Sequence, residues 1–151
     1  MLVDVRKLPG SNRYPHFNRD HLEAALKDAG VSYYRIEGLT GRRPVSRTVP
    51  FKVNAWWQNR SFHNYADHAL GEEFADALKQ MNGLVGGQRL ALMCSEAVWW
   101  RCHRRIIADH LIAQGRLVLH IMGPGKVVNA QLSRGARKTS DEKVTYPAQG
   151  E

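Results

Sequence analysis

A chain of 151 residues with 43% hydrophobic content suffices for one continuous core, while no stretch approaches the roughly 18 apolar residues of a membrane span and the N-terminus lacks the basic-then-apolar layout of a secretory signal. Two cysteines make no disulfide scaffold, so a cytoplasmic protein with reduced thiols is expected. The 22 Lys and Arg against 14 Asp and Glu give a formal charge of +8, which favours anionic partners (phosphates, nucleotides or nucleic acid) unless it serves only as a solvated face.

Leu2 to Val5 is a short apolar run closed by Arg6 and a Pro9-Gly10-Ser11 turn, and reads as a buried strand. Asn18 suits an N-cap; Leu22, Ala25, Leu26 and Ala29 then recur at helical spacing, and Gly30 stops the helix. Val31 to Ile36 is β-branched and aromatic, so the first three elements form a βαβ unit with a parallel strand pair. From Glu37 to Ser61 no period holds, and Gly38, Gly41, Pro44 and Pro50 punctuate a long loop whose composition fits a lid or binding loop, or else a poorly ordered segment.

Phe62, Tyr65, Ala66, Ala69 and Leu70 fit one helical face, and after Gly71 the residues Phe74, Ala75, Leu78 and Met81 fit another. Arg89 to Met93 reads as a strand, Cys102 to Gln114 as a helix with Ile106, Ile107 and Leu111 inward, and Leu117 to Ile121 as a strand completing a second βαβ unit. Beyond Met122 lie Gly123-Pro124-Gly125, scattered basic residues, and Val144-Thr145-Tyr146-Pro147, which fits a short edge strand in an otherwise mobile segment. This order predicts one α/β domain over residues 1–121, a three-layer α/β/α, Rossmann-like fold around a mostly parallel sheet of about four strands, with a basic, partly ordered tail over 122–151.

In open α/β sheets ligands gather beyond the carboxyl ends of the strands. Asp4 and Arg6 stand at one such end; Cys94 stands at another and leads through Ser95 and Glu96 to the helix opening at Cys102-His103-Arg104. A helix N-terminus favours a thiolate at Cys102 or a bound anion, Arg104 strengthens either, Glu96 can orient His103 or Arg104 or act as a base, and His103 can serve as acid or base near neutral pH. Taken singly each residue has a bland use: a strand-end cysteine as a small buried hydrophobe, Glu96 with Arg104 as a capping ion pair, His103 as a solvated first-turn residue. Their crowding in one strand-to-helix loop favours a shared pocket.

Three chemistries compete there. A phosphate cradle between a strand-end cysteine and a following arginine fits poorly, because Ser95 to Trp100 adds a residue to the usual spacing and brings Glu96, two tryptophans and no glycine. A zinc site from Cys94, Cys102 and His103, with Glu96 as a further candidate ligand, suits the ligand types but not the usual cysteine spacing, and adjacent Cys102 and His103 are expected to point apart. Thiol chemistry, with one cysteine as nucleophile and the other resolving or idle, matches no family-specific protease or redox signature and stays open. The tandem pairs Trp56-Trp57 and Trp99-Trp100 suit stacking on a base, core packing or a dimer contact.

Together, Leu2-Val3-Asp4-Val5-Arg6, Pro9, Ser11, Phe17-Asn18, Gly41-Arg42-Arg43, Phe62, Tyr65-Ala66, Cys94-Ser95-Glu96 and Cys102-His103-Arg104 resemble the domain-of-unknown-function 488 family from Val3 to about Ile121. The resemblance implies an α/β fold and a pocket using Asp4, Arg6, Ser11, Arg42, Cys94, Glu96, Cys102, His103 and Arg104, without naming a reaction or cofactor. It also implies a preceding strand and helix with a Gly-His-Ser segment, which this sequence lacks: either the true start lies upstream, or this is a shortened member whose exposed strand its tail or a partner is expected to cover. The expected function is an enzyme or enzyme-like domain that binds an anionic small molecule of phosphate or nucleotide type, with Cys94, Glu96, Cys102 and His103 reacting and Asp4, Arg6, Ser11, Arg42 and Arg104 binding. The alternative is a nucleic-acid-binding module in which Arg42, Arg43, Arg47 and the tail touch phosphates and the cysteines are structural.

Overall fold

The computed structural model describes residues 1–10 and 12–149. In chain order the elements are β1 (Leu2–Asp4), α1 (Arg19–Asp28), β2 (Tyr33–Arg35), α2 (Arg60–His68), α3 (Glu72–Val85), β3 (Ala91–Met93), α4 (Arg104–Ala113), β4 (Leu119–Gly123), β5 (Lys126–Asn129), β6 (Arg137–Lys138) and β7 (Val144–Thr145), with 3-10 turns at Pro15–Phe17, Glu37–Leu39, Phe51–Asn54 and Trp99–Arg101. They fall into two compact units, one from Met1–Gly41 with Asp76–Ser95, the other from Arg42–Ala75 with Glu96–Glu151.

The first unit holds a three-stranded parallel sheet in the order β2, β1, β3. Leu2, Val3 and Asp4 lie opposite Tyr33, Tyr34 and Arg35 on one side and Ala91, Leu92 and Met93 on the other. As the middle strand, β1 is paired along both edges, and Val3 and Val5 are entirely buried, which explains an apolar run without alternation. Helix α1 links β1 to β2 and ends where Gly30 adopts φ +76, a left-handed conformation that glycine enters without steric penalty. Its apolar stripe is less covered than the spacing suggests: Leu22 and Leu26 are half-buried, Ala25 and Ala29 are exposed, and no residue of the helix is buried. Asn18 takes the N-cap position, but its side chain makes no capping hydrogen bond.

In the second unit Asn59 caps α2, its side-chain oxygen accepting the N–H groups of Ser61 and Phe62 at 2.8 and 3.2 Å. Helix α4 packs against α2 and β7, and Tyr65, Ala66, Phe74, Ile106, Ile107, Leu111, Val144 and Tyr146 are buried. Strand β4 corrects one expectation: it does not join the parallel sheet as part of a second βαβ unit but pairs antiparallel with β5. Pro124-Gly125 connects the two, with Gly125 at φ +70, the combination a type II turn demands, so the chain returns at once instead of making the long crossover a parallel pair needs. The parallel sheet therefore has three strands among the described residues.

Residues 122–149 belong to this second unit. The late strand forms as β7, paired among the described residues with β6 alone, and Val144 and Tyr146 are wholly buried. Tyr146 is tied at both ends: its hydroxyl donates to Asp109 at 2.7 Å, its N–H to the Asn54 side-chain oxygen at 3.0 Å, and its carbonyl accepts the Trp56 N–H at 2.9 Å. Asp109 also accepts the Ser133 N–H at 2.9 Å; burial still pushes its carboxyl above the usual carboxylate range, with the bonds from Tyr146 and Ser133 working against that shift. Near this point Gly135 lies flat against Trp56, where a Cβ would fall 2.1 Å from the indole Cδ2. Gly135→Ala is thus expected to lower stability by about 1–3 kcal/mol through overpacking, measurable as a fall in the urea midpoint, while Gly83→Ala, which meets nothing within 4 Å, should not lower it.

No helix among the described residues is long and apolar enough to cross a membrane.

Candidate functional site

At the carboxyl edge of the first unit's sheet, Asp4 and Arg6 bind each other. Arg6 grips the Asp4 carboxylate with two donors, Nε to Oδ1 at 2.9 Å and Nη2 to Oδ2 at 2.8 Å, and donates a third hydrogen bond to the Phe17 carbonyl at 2.7 Å. Asp4 is fully buried and Arg6 nearly so. The Tyr33 hydroxyl adds a short bond to Asp4, 2.5 Å. Burial alone would raise the Asp4 carboxyl, but the hydrogen bonds from Arg6 and Tyr33 prevail and hold it below its ordinary value. Burial and the neighbouring carboxylate push Tyr33 up to about 12. Cys94 follows β3 immediately and is a half-buried thiol; its neighbour Met93 lies opposite Asp4 in the sheet register. Ser11 lies outside the described residues.

In the second unit the approach to α4 gathers around one sulfur atom. Cys102 is in extended backbone (φ −131, ψ 149), closing the Trp99–Arg101 turn, and His103 then enters the helical region as N-cap (φ −60, ψ −15). That change of direction brings the two side chains together, with Cys102 Sγ 3.7 Å from His103 Nδ1, so the expectation that they point apart is wrong. Arg104 reaches the same sulfur twice, through Nε at 3.2 Å and its backbone N–H at 3.5 Å, while its Nη2 donates to the Glu96 carbonyl. The Glu96 carboxylate makes no ion pair with Arg104: the side chain is exposed and accepts the Val98 N–H at 3.4 Å, shaping its own turn. Cys102 is buried, whereas His103 and Arg104 are half-exposed.

Arg42 is exposed and holds a left-handed backbone (φ 58), uncommon for a residue with a Cβ. Arg43 pairs with Glu73 at 3.2 Å, and Arg47 is exposed.

Sequence reasoning missed three participants. Tyr33 completes the Asp4–Arg6 network; the parallel pairing of β1 with β2 was its signal, since the register puts residues 33–35 beside Leu2–Asp4. His120 stacks on Trp99 with rings parallel to within 1° and centroids 4.1 Å apart, and burial together with the positive charge of Arg104 lowers its pKa; a lone histidine inside an apolar run was the available hint. Arg105 sits among aromatic rings, its guanidinium carbon 5.0 Å from the centre of Trp57, 5.7 Å from Trp56 and 6.0 Å from Trp99. Three of the four tryptophans are thereby engaged in the unit's own packing, and Trp100 is exposed.

No curated protein and no solved structure matches this chain. A family model described as Domain of unknown function DUF488 matches residues 1–111, a span that contains Asp4, Arg6, Arg42, Cys94, Glu96 and the Cys102-His103-Arg104 segment. The chain belongs to the DUF488 family, whose function is unknown.

Proposed function

We propose that the protein is an enzyme or enzyme-like domain in which Cys102 acts as a thiolate on an anionic small molecule of phosphate or nucleotide type. One observation carries this reading: the Cys102 sulfur accepts hydrogen bonds from the Arg104 side chain and from the first N–H of α4, with an imidazole nitrogen alongside. Donors of that kind favour the charged sulfur, and the thiolate is the reactive form of cysteine. Arg104 and the helix N-terminus also supply positive potential for an anion. The half-exposed His103 ring is placed to take or deliver a proton.

Cys94 and Glu96 join the reacting set on sequence and family grounds, Cys94 as a second thiol and Glu96 as an exposed carboxylate. Asp4, Arg6, Ser11 and Arg42 belong to ligand binding on the same grounds. Since Asp4 and Arg6 are bonded to each other, their part in this reading is to shape the end of β1. A reducing, cytoplasmic setting belongs to the reading too, because it keeps both thiols available.

Alkylation by iodoacetamide, followed by mass spectrometry across pH, tests the thiolate. Cys102 should be modified at neutral pH, and Arg104→Ala should slow that reaction by roughly tenfold. Rates at Cys102 that are equal in wild type and Arg104→Ala would remove the central support. For the ligand, thermal shifts with phosphate and nucleoside phosphates should be lost in Arg104→Ala and in Cys94→Ser; unchanged shifts in both variants reject the anion assignment.

A further inference from the structure

We propose that the Arg13–Arg19 segment of the first unit is a docking surface for single-stranded nucleic acid, separate from the cysteine chemistry. The segment displays aromatic rings to water: Tyr14 is 48% and Phe17 47% exposed, with His16 exposed between them. The rings form a continuous group, Tyr14 edge-on to His16 at 6.2 Å and His16 tilted against Phe17 at 4.2 Å. Cations accompany them. The Arg13 guanidinium lies 5.4 Å from the Tyr14 ring centre, and Arg19 lies 6.0 Å from that of Tyr33. From Val5 to Arg19 the sequence carries Arg6, Lys7, Arg13 and Arg19 and no carboxylate.

The backbone beside the rings is hydrogen-bonded. Arg6, which holds buried Asp4 through two guanidinium hydrogen bonds, donates to the Phe17 carbonyl at 2.7 Å. The Arg19 N–H closes the loop on the Pro9 carbonyl at 2.9 Å, and the Phe17 and Asn18 N–H groups bond back to Tyr14 and Pro15 at 3.0 Å each. A loop free to move would fold its rings away from water, whereas this one is tied at the backbone so that they stay outside. Exposed ring faces beside guanidinium groups, on a carboxylate-free stretch, provide stacking for bases and charge for phosphates. An acidic protein surface would answer the arginines but not the rings. A duplex hides its base faces in its own stack, so the rings select the single strand. The chain's charge of +8 adds attraction at longer range.

Fluorescence anisotropy of the whole protein with labelled oligo-dT and oligo-U of about 12 nucleotides tests this. Binding should appear at low salt and weaken steeply as salt rises. Tyr14→Ala/Phe17→Ala should weaken it roughly tenfold or more, Arg13→Ala/Arg19→Ala should flatten the salt dependence, and Cys102→Ser should leave it unchanged, while circular dichroism and melting stay those of wild type. Absence of binding at low salt overturns the proposal. So does unaltered affinity in the ring variant, equal competition by duplex DNA, displacement by poly-glutamate as readily as by oligonucleotide, or loss of binding in Arg42→Ala/Arg47→Ala instead.

Discussion

Replacing Arg6 by methionine is expected to destabilise the first unit by about 3–5 kcal/mol, because it leaves the Asp4 carboxylate buried with its charge unanswered. The geometry explains the size. Asp4 has no exposure, Arg6 supplies two guanidinium donors to it, and the residue-6 backbone N–H and the Tyr33 hydroxyl that remain in the variant bring no positive charge to replace them. The pH sign follows from the lowered carboxyl. In wild type the pair's contribution is complete above the unfolded value near 3.8 and is lost as pH falls through the lower folded value. In Arg6→Met the carboxyl should rise, so stability should improve on mild acidification. Denaturant midpoints from pH 7 to pH 4 check both statements, and Asp4→Asn/Arg6→Met should recover much of the loss by removing the orphaned charge. A loss below about 1 kcal/mol in Arg6→Met would mean that Asp4 is not held as a buried ion pair.

The second large effect belongs to His110. This ring is 2% exposed, stands edge-on to Phe74 at 5.0 Å, and has an Nε2 without a hydrogen-bond partner among the described residues. Burial, aided by Lys143, lowers it to about 4. Between pH 6.5 and about 4 the unfolded chain takes up a proton that the folded chain refuses, so stability falls as pH falls, by roughly 3 kcal/mol across the window. Asp109 acts in the opposite direction, since its raised carboxyl favours the folded state as it becomes protonated. Comparing wild type with His110→Leu isolates the histidine: the variant should lose markedly less stability than wild type between pH 7 and 4.5. Parallel acid profiles for the two would show that His110 is already charged, or hydrated, in the fold.

Elements set by local pattern were legible in the sequence. The helices around Tyr65, Phe74 and Ile106 formed where apolar residues recur at helical spacing, and Gly30 ended α1 for the steric reason expected of it. What escaped was pairing. The run Leu117–Ile121 signals a strand equally well for either orientation, and only Pro124-Gly125, flanked by apolar residues, held the information that it turns back on itself. In α1 the stripe Leu22, Ala25, Leu26 and Ala29 records an apolar face but not whether anything covers it. The candidate site divides the same way. That Cys102 and Arg104 would meet at a helix start followed from adjacency, whereas the turn of the backbone that swings His103 onto the sulfur, and the use of the Glu96 carbonyl rather than its carboxylate, depend on dihedral angles that residue type does not dictate.

The hydroxyl of Tyr146 on Asp109 has a consequence for biosynthesis. The stretch matched by the family ends at residue 111, two positions past this aspartate, yet the aspartate's partner lies 37 residues further along the chain and leaves the ribosome after it. Until then α4 carries a carboxylate that cannot be enclosed without penalty, so the second unit must close late, and a polypeptide stopped at the family boundary would leave that group open to water.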